Sequence, residues 1–98
     1  MKLIGLYRSP YVRRVAVSLN LLGMAYENEA VTPFDSPEVV SPHNPLVRIP
    51  TLVLGDGEVL VESYAILDTL DDMSPSDKRL MPASGDARKH VMKITAIA

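Results

Sequence analysis

A helical pattern between two strand-like segments restricts the fold of this chain more than any other feature of its sequence. Ser9-Pro10 is typical of a helix start, because serine caps a first turn and proline fits the first helical position. Apolar residues then recur at helical spacing up to Gly23, a residue typical of helix ends. The flanking segments, Lys2–Tyr7 and Ala25–Val31, are predicted strands. A helix between two strands implies a parallel crossover.

The second half of the chain predicts a hairpin followed by another helix. Four prolines within 32–45 exclude a long helix there, although one or two turns near Ser36 to Val40 remain possible. Thr51–Leu54 and Glu58–Val61 are apolar strands separated by a Gly-Asp-Gly turn, so they are expected to pair antiparallel. Ser63 is predicted to open the next helix. Its expected apolar face consists of Ile66, Leu67, Leu70 and Met73.

This order of elements predicts an α/β fold in which helices flank a mixed four-stranded sheet. Residues 75–84 have the composition of a linker, and Asp86–Ala98 is predicted to form a further helix. The apolar residues of that helix need a partner surface. They are Val91, Met92, Ile94 and Ile97.

Composition excludes several classes of site and partner. The chain has no cysteine, which excludes disulfides, thiolate metal sites and a cysteine nucleophile. Its two histidines, His43 and His90, lie far apart in sequence and do not indicate a metal site. No apolar run approaches the ~20 residues of a membrane span, and the N-terminal apolar stretch is too short for a signal peptide. Basic residues form no run, which argues against nucleic-acid binding. We therefore expect a cytoplasmic protein without metal, membrane or nucleic-acid partners.

Three short segments are candidates for binding a ligand. At Ser9 a strand leads into a helix, where free N–H groups and the helix dipole favour an anion such as a thiolate; alternatively, Ser9 only caps the helix. Ile49-Pro50 precedes a buried strand, and a cis proline there would present backbone groups to an extended peptide. Glu62-Ser63 opens a helix that could hold a carboxylate and an ammonium group, although the motif alone favours an ordinary capping serine.

Taken together, these segments resemble the N-terminal domain of glutathione transferases. The resemblance is carried by S-P-Y-x-x-R at the first helix, by Asn44–Pro50 and by Glu62–Ile66. It covers residues 1–80 and implies a thioredoxin-like β-α-β-α-β-β-α fold that binds glutathione. Residues 81–98 are similar to the linker and first helix of that family's helical C-terminal domain, which the chain would contain only in truncated form.

The resemblance also implies where glutathione would bind. Pro50 would be a cis proline, and the backbone of Ile49 would pair with the cysteinyl part of the peptide. Glu62 and Ser63 would hold the γ-glutamyl end, and Arg48 would lie near the glycyl carboxylate.

Catalysis is implied to centre on the glutathione sulfur. Ser9 would stabilise the thiolate, which attacks a small electrophile, while Tyr7 is the alternative residue for that role. Glutathione is then a co-substrate, and no tightly bound cofactor is expected. Since the chain has serine rather than cysteine at this position, reduction through mixed disulfides is disfavoured.

Other activities of the same family remain open. A glutathione-dependent isomerase or dehalogenase shares this domain, and the fold also serves as a non-catalytic interaction module. The resemblance implies that the chain contains only the start of the helical domain. The apolar face of the last helix then predicts association with another chain, as in a homodimer, or poor order at the C-terminus.

Overall fold

A computed structural model describes residues Met1–Ala98 and contains one mixed sheet. The elements in chain order are β1 (Lys2–Ile4), α1 (Pro10–Leu21), β2 (Glu27–Glu29), α2 (Pro37–Val40), β3 (Thr51–Val53), β4 (Val59–Val61), α3 (Ser63–Asp72) and α4 (Gly85–Ile97). The strands lie in the order β2-β1-β3-β4. β1 pairs parallel with β2, and β3 pairs antiparallel with β1 and β4. The predicted crossover, hairpin and order of elements are confirmed.

The first two strands are shorter than the sequence predicted. We expected Lys2–Tyr7 and Ala25–Val31, but β1 ends at Ile4. Gly5 takes a φ of +141°, so the chain turns out of the extended conformation there. The N–H of Gly5 donates to the C=O of Glu29 at 2.9 Å. Beyond that bond β2 has no further partner in β1, and it ends at Glu29 as well.

The core lies between one face of the sheet and the two helices α1 and α3. Leu3 of β1 and Leu52 of β3 are register partners, and both are fully buried against these helices. The complete cluster is Leu3, Val12, Val15, Ala16, Leu19, Leu52, Ile66 and Leu70. Each buried aliphatic side chain contributes about 1.5–3 kcal/mol relative to exposure, so this cluster fixes both helices on the sheet.

Helix α1 begins and ends as the sequence indicates. Ser9 is its N-cap, Pro10 is its first residue, and Gly23 has the left-handed φ of +70° that favours glycine after a helix. The short helix α2, Pro37–Val40, is the single turn that the proline-rich segment allowed.

Helix α3 begins at Ser63 as predicted, but one expectation about its buried face was wrong. The N-cap position belongs to Glu62, which has a φ of +67° and makes no side-chain capping bond, so Ser63 is the first helical residue and not the cap. Met73 was placed on the buried face, yet its exposed fraction is 50%. Since α3 ends at Asp72, Met73 is the C-cap residue, and Leu70 is the last buried apolar residue of the helix.

Helix α4 is attached to α3 by polar contacts and contains no buried residue. Arg88 forms an ion pair with Asp68 at 2.9 Å, and the Tyr64 hydroxyl donates to Sδ of Met92 at 2.9 Å. None of the helices is both long and apolar enough to span a bilayer.

Candidate functional site

A cleft of about 890 Å³ lies where the start of α1, the loop before β3 and the start of α3 meet. The sheet register explains this meeting: Ile4 at the end of β1 pairs with Thr51 at the start of β3, which pairs with Val61 at the end of β4. The three segments therefore leave the sheet at the same edge. Six predicted binding residues line the cleft, namely Ser9, Arg48, Ile49, Pro50, Glu62 and Ser63.

Tyr7, the alternative to Ser9, does not line this cleft. Its hydroxyl lies 2.9 Å from the hydroxyl of Tyr26. The hydrogen bond with Tyr7 raises the pKa of Tyr26, and burial raises it further. The Tyr7 hydroxyl is thus engaged with another phenol, outside the cleft.

Ser9 lies at the N-terminus of α1 with a hydroxyl hydrogen that has no partner. Its Oγ accepts the N–H of Val12 at 3.4 Å and donates to no group in the chain. Arg13 holds the preceding loop in place, because its Nη1 donates to the C=O of Tyr7 and of Arg8 at 2.9 and 3.0 Å. A hydroxyl donor beside the positive end of a helix dipole is suited to an anionic ligand atom.

The loop before β3 presents an unpaired backbone segment. The Ile49–Pro50 peptide bond is cis, and neither the N–H nor the C=O of Ile49 takes part in a hydrogen bond within the chain. An N–H and a C=O on one residue are the pair that an extended peptide uses when it adds alongside a strand. This position can therefore bind a peptide through its main chain.

Asn44 supports that loop from inside the protein, a role that its sequence motif did not indicate. It is 1% exposed. Its amide NH₂ donates to the C=O of Arg48 at 3.1 Å and to Oγ1 of Thr51 at 3.0 Å, while its carbonyl oxygen accepts the N–H of Leu46 at 2.8 Å. Through these three hydrogen bonds one buried amide holds the backbone before Ile49 and the side chain of Thr51 after it.

Replacing Asn44 with alanine is expected to lower the free energy of unfolding by about 2 kcal/mol, because buried groups lose their partners. Urea unfolding measures the change. Asn20→Ala is the control, since Asn20 is exposed on α1 and its loss should cost less than about 0.5 kcal/mol. Equal effects of the two substitutions would contradict a structural role for the Asn44 bonds.

Opposite charges face each other across the mouth of the cleft. Nη1 of Arg48 lies 3.8 Å from Oε1 of Glu62, and both side chains are largely exposed. An exposed pair of this kind contributes little to stability. Both side chains are therefore free to turn toward a ligand that carries an ammonium group and a carboxylate.

Ser63 is held by an arginine that we did not assign to the site. Arg14 donates through Nε and Nη2 to Oγ of Ser63, at 3.0 and 2.6 Å. The signal in the sequence was the arginine of S-P-Y-x-x-R, but spacing alone does not show that it reaches α3. Arg14 lines the cleft, and Ser63 is 4% exposed.

Comparison with known proteins identifies the family. The family model described as "Glutathione S-transferase, N-terminal domain" matches residues 3–78. The chain belongs to the glutathione S-transferase family. Its mixed sheet with flanking helices is the thioredoxin-like fold of that N-terminal domain.

Relatives of this glutathione S-transferase domain cover its whole length. An uncharacterized GST-like protein, YibF, of Escherichia coli is 32% identical over 98 residues, which is 100% of this chain and 48% of the relative. Maleylpyruvate isomerase of a Ralstonia species is 34% identical over 99% of this chain and 46% of its own length. The chain thus spans about half the length of these relatives.

A solved structure closely matches the transferase domain. The glutathione S-transferase of Methylobacterium radiotolerans, crystallised in complex with glutathione sulfonate, has a TM-score of 0.90 and 32% identity. The match covers 98% of this chain and 45% of the other. Within the present structure, no three His, Cys, Asp or Glu side chains come together as metal ligands.

Proposed function

We propose that this domain binds glutathione and stabilises its thiolate for nucleophilic attack on a small electrophile. The observation that carries the proposal is the cleft, in which the unpaired backbone of Ile49 lies together with hydroxyl groups at two helix N-termini, Ser9 and Ser63. Glutathione is an extended peptide with a thiol and charged groups at its ends. The complex of the Methylobacterium relative with glutathione sulfonate supports this choice of ligand.

Each part of glutathione has a chemically matched group in the cleft. The cysteinyl N–H and C=O pair with the C=O and N–H of Ile49. The γ-glutamyl carboxylate accepts a hydrogen bond from the hydroxyl of Ser63 at the N-terminus of α3, and the ammonium group pairs with Glu62. Arg48 turns from Glu62 toward the glycyl carboxylate.

The chemical step depends on keeping the sulfur ionised. A free thiol has a pKa of about 8.5, and each unit by which the site lowers it corresponds to about 1.4 kcal/mol. The Ser9 hydroxyl donates a hydrogen bond to the thiolate, and the N-terminus of α1 adds a favourable dipole. The thiol proton passes to solvent and sulfur bonds to the electrophilic carbon, while the bond from that carbon to the leaving group breaks and its electron pair departs with the leaving group.

Glutathione-dependent isomerisation is the second candidate. It is favoured by the identity of 34% with the Ralstonia maleylpyruvate isomerase. The same thiolate would add to the substrate and then be eliminated, so glutathione would not be consumed. Measuring whether glutathione disappears as product forms distinguishes the two activities.

The proposal includes a cytoplasmic homodimer that acts in detoxification. An apolar partner surface is supported by Ile94 and Ile97 on α4, whose exposed fractions are 53% and 76%. Such side chains are stabilised when a second surface covers them.

A glutathione titration followed by amide NMR tests the proposal. Shifts are expected at Ser9, Ile49, Glu62 and Ser63, and Ser63→Ala should weaken binding about tenfold, because a hydrogen bond to a charged group is lost. Ser84→Ala is the matched control, since Ser84 also precedes a helix but is exposed and makes no capping bond. A folded chain without shifts at millimolar glutathione, or with shifts only elsewhere, overturns the proposal.

A further inference from the structure

Arg14 makes a set of contacts that helix formation does not require. Besides the two bonds to Oγ of Ser63, its Nη1 donates to the C=O of Thr95 at 2.7 Å. Its guanidinium carbon lies 5.3 Å from the centre of the Tyr11 ring, which places the group over an aromatic face. One side chain of α1 is thus held by α3, by α4 and by its own helix.

These contacts determine what the Ser63 hydroxyl can do. A serine hydroxyl has one hydrogen to donate and two lone pairs with which to accept. Two guanidinium N–H groups point at the Oγ atom, and no group within the chain accepts its hydrogen. Ser63 is therefore oriented as a hydrogen-bond donor, and its hydrogen is available to an acceptor atom of a ligand in the cleft.

The guanidinium of Arg14 also forms no ion pair within the protein. The ion pairs of the structure involve Lys2, Arg48, Arg79, Arg88 and Lys89, and Arg14 has no carboxylate within 4.0 Å. A cation that lies behind a donor hydroxyl in a partly buried position attracts an anion in front of that hydroxyl.

We propose that Arg14 is a positioning residue that makes the Ser63 hydroxyl select the α-carboxylate of the γ-glutamyl group. The inference rests on the proposed binding of glutathione and extends it to a residue that does not itself touch the peptide. Arg14 orients the hydroxyl through Nε and Nη2 and supplies the positive charge behind it. The third bond, to Thr95, holds the guanidinium plane in the required direction.

This geometry requires arginine rather than any cation. Lysine has a single ammonium group, which cannot donate to Ser63 from two fixed directions while also reaching the C=O of Thr95. Arg14→Lys therefore keeps the charge but loses the orientation, and Arg14→Gln loses both.

The test compares two peptides that differ only at the selected group. Glutathione and 4-aminobutyryl-cysteinylglycine, which lacks the α-carboxylate, are titrated into the wild-type protein and its variants by calorimetry. Arg14→Gln is expected to weaken glutathione about 20-fold and the analogue less than twofold. Arg14→Lys should weaken glutathione at least fivefold. In the double variant with Ser63→Ala, binding should be no weaker than in the weaker single variant, because both substitutions remove the same interaction.

Arg13→Gln is the matched control, since it removes an equal charge from the same helix without contact to Ser63. Any effect it has should be equal for the two peptides. Equal weakening of both peptides by the Arg14 substitutions would overturn the inference and leave a structural role only. Additive losses in the double variant would overturn it too. If Arg14→Gln does not fold, the comparison of the two peptides with Arg14→Lys decides. Absence of glutathione binding by the wild-type protein would instead overturn the proposed function itself.

Discussion

Replacing Ser9 with alanine is expected to lower kcat/KM for glutathione conjugation about 100-fold, while replacing Tyr7 with phenylalanine changes it less than about threefold. Removing a donor aimed at a developing or stable anion typically costs ~10²–10³ in rate. The Ser9 hydroxyl lies in the cleft with a free hydrogen, whereas the Tyr7 hydroxyl lies 2.9 Å from that of Tyr26, outside the cleft. Conjugation rates measured against pH test this prediction.

The dependence of the conjugation rate on pH distinguishes a weaker stabilisation of the thiolate from damage to the cap of α1. With Ser9→Ala the apparent pKa of the bound thiol should rise toward its value of about 8.5 in water. Ser9→Gly controls for the cap of α1, because glycine replaces serine at an N-cap at a cost of only a few tenths of a kcal/mol. It should show the same kinetic loss. A large effect of Tyr7→Phe with a small one of Ser9→Ala would assign the role to Tyr7.

Replacing Gly5 with alanine is expected to lower the free energy of unfolding by about 4 kcal/mol. A Cβ there would lie 2.5 Å from Cγ2 of Val12 and 3.0 Å from Cβ of Ile49, and the φ of +141° is one that alanine rarely adopts. Strained backbone and overpacking each cost about 1–3 kcal/mol. Urea unfolding monitored by circular dichroism measures the loss.

Substitutions at two other glycines separate the cost of backbone strain from the cost of overpacking. Gly57 has a φ of +92° but open space around it, so Gly57→Ala should cost only about 1–2 kcal/mol. Gly55 has neither constraint, and Gly55→Ala should change the free energy by less than about 0.5 kcal/mol. If Gly5→Ala were no more destabilising than Gly57→Ala, close packing of Gly5 would not contribute to stability.

Periodicity and terminal residues were sufficient to predict the fold, but not the lengths of its strands. The helix that begins at Pro10 has both a cap and a stop in its own sequence. A strand has no such local signal, because its length depends on the partner with which it pairs. Gly5 lies inside an apolar run that indicated a continuous strand, and neither its positive φ nor the close approach of Val12 and Ile49 can be read from that run.

The placement of the candidate residues in one cleft was predictable from short sequence motifs. Ser9, Ile49 and Glu62 lie in motifs that are specific in combination, and all three line one cleft. The roles of Asn44 and Arg14 could not be predicted from such segments. The first acts through burial and the second through a contact between residues 49 positions apart, and neither property follows from local spacing.

Ile4, Thr51 and Val61 are paired across β1, β3 and β4 and form one row at the edge of the sheet. Ligand binding in the cleft therefore depends on whether these strands stay paired. Apart from 32–34, the walls of the cleft come from segments that leave β1, β3 and β4 at that row, so an opening that separates those strands also takes the cleft apart. Ligand binding and strand separation are then mutually exclusive. At a ligand concentration about 100 times Kd, this linkage opposes every such opening by about 2.7 kcal/mol.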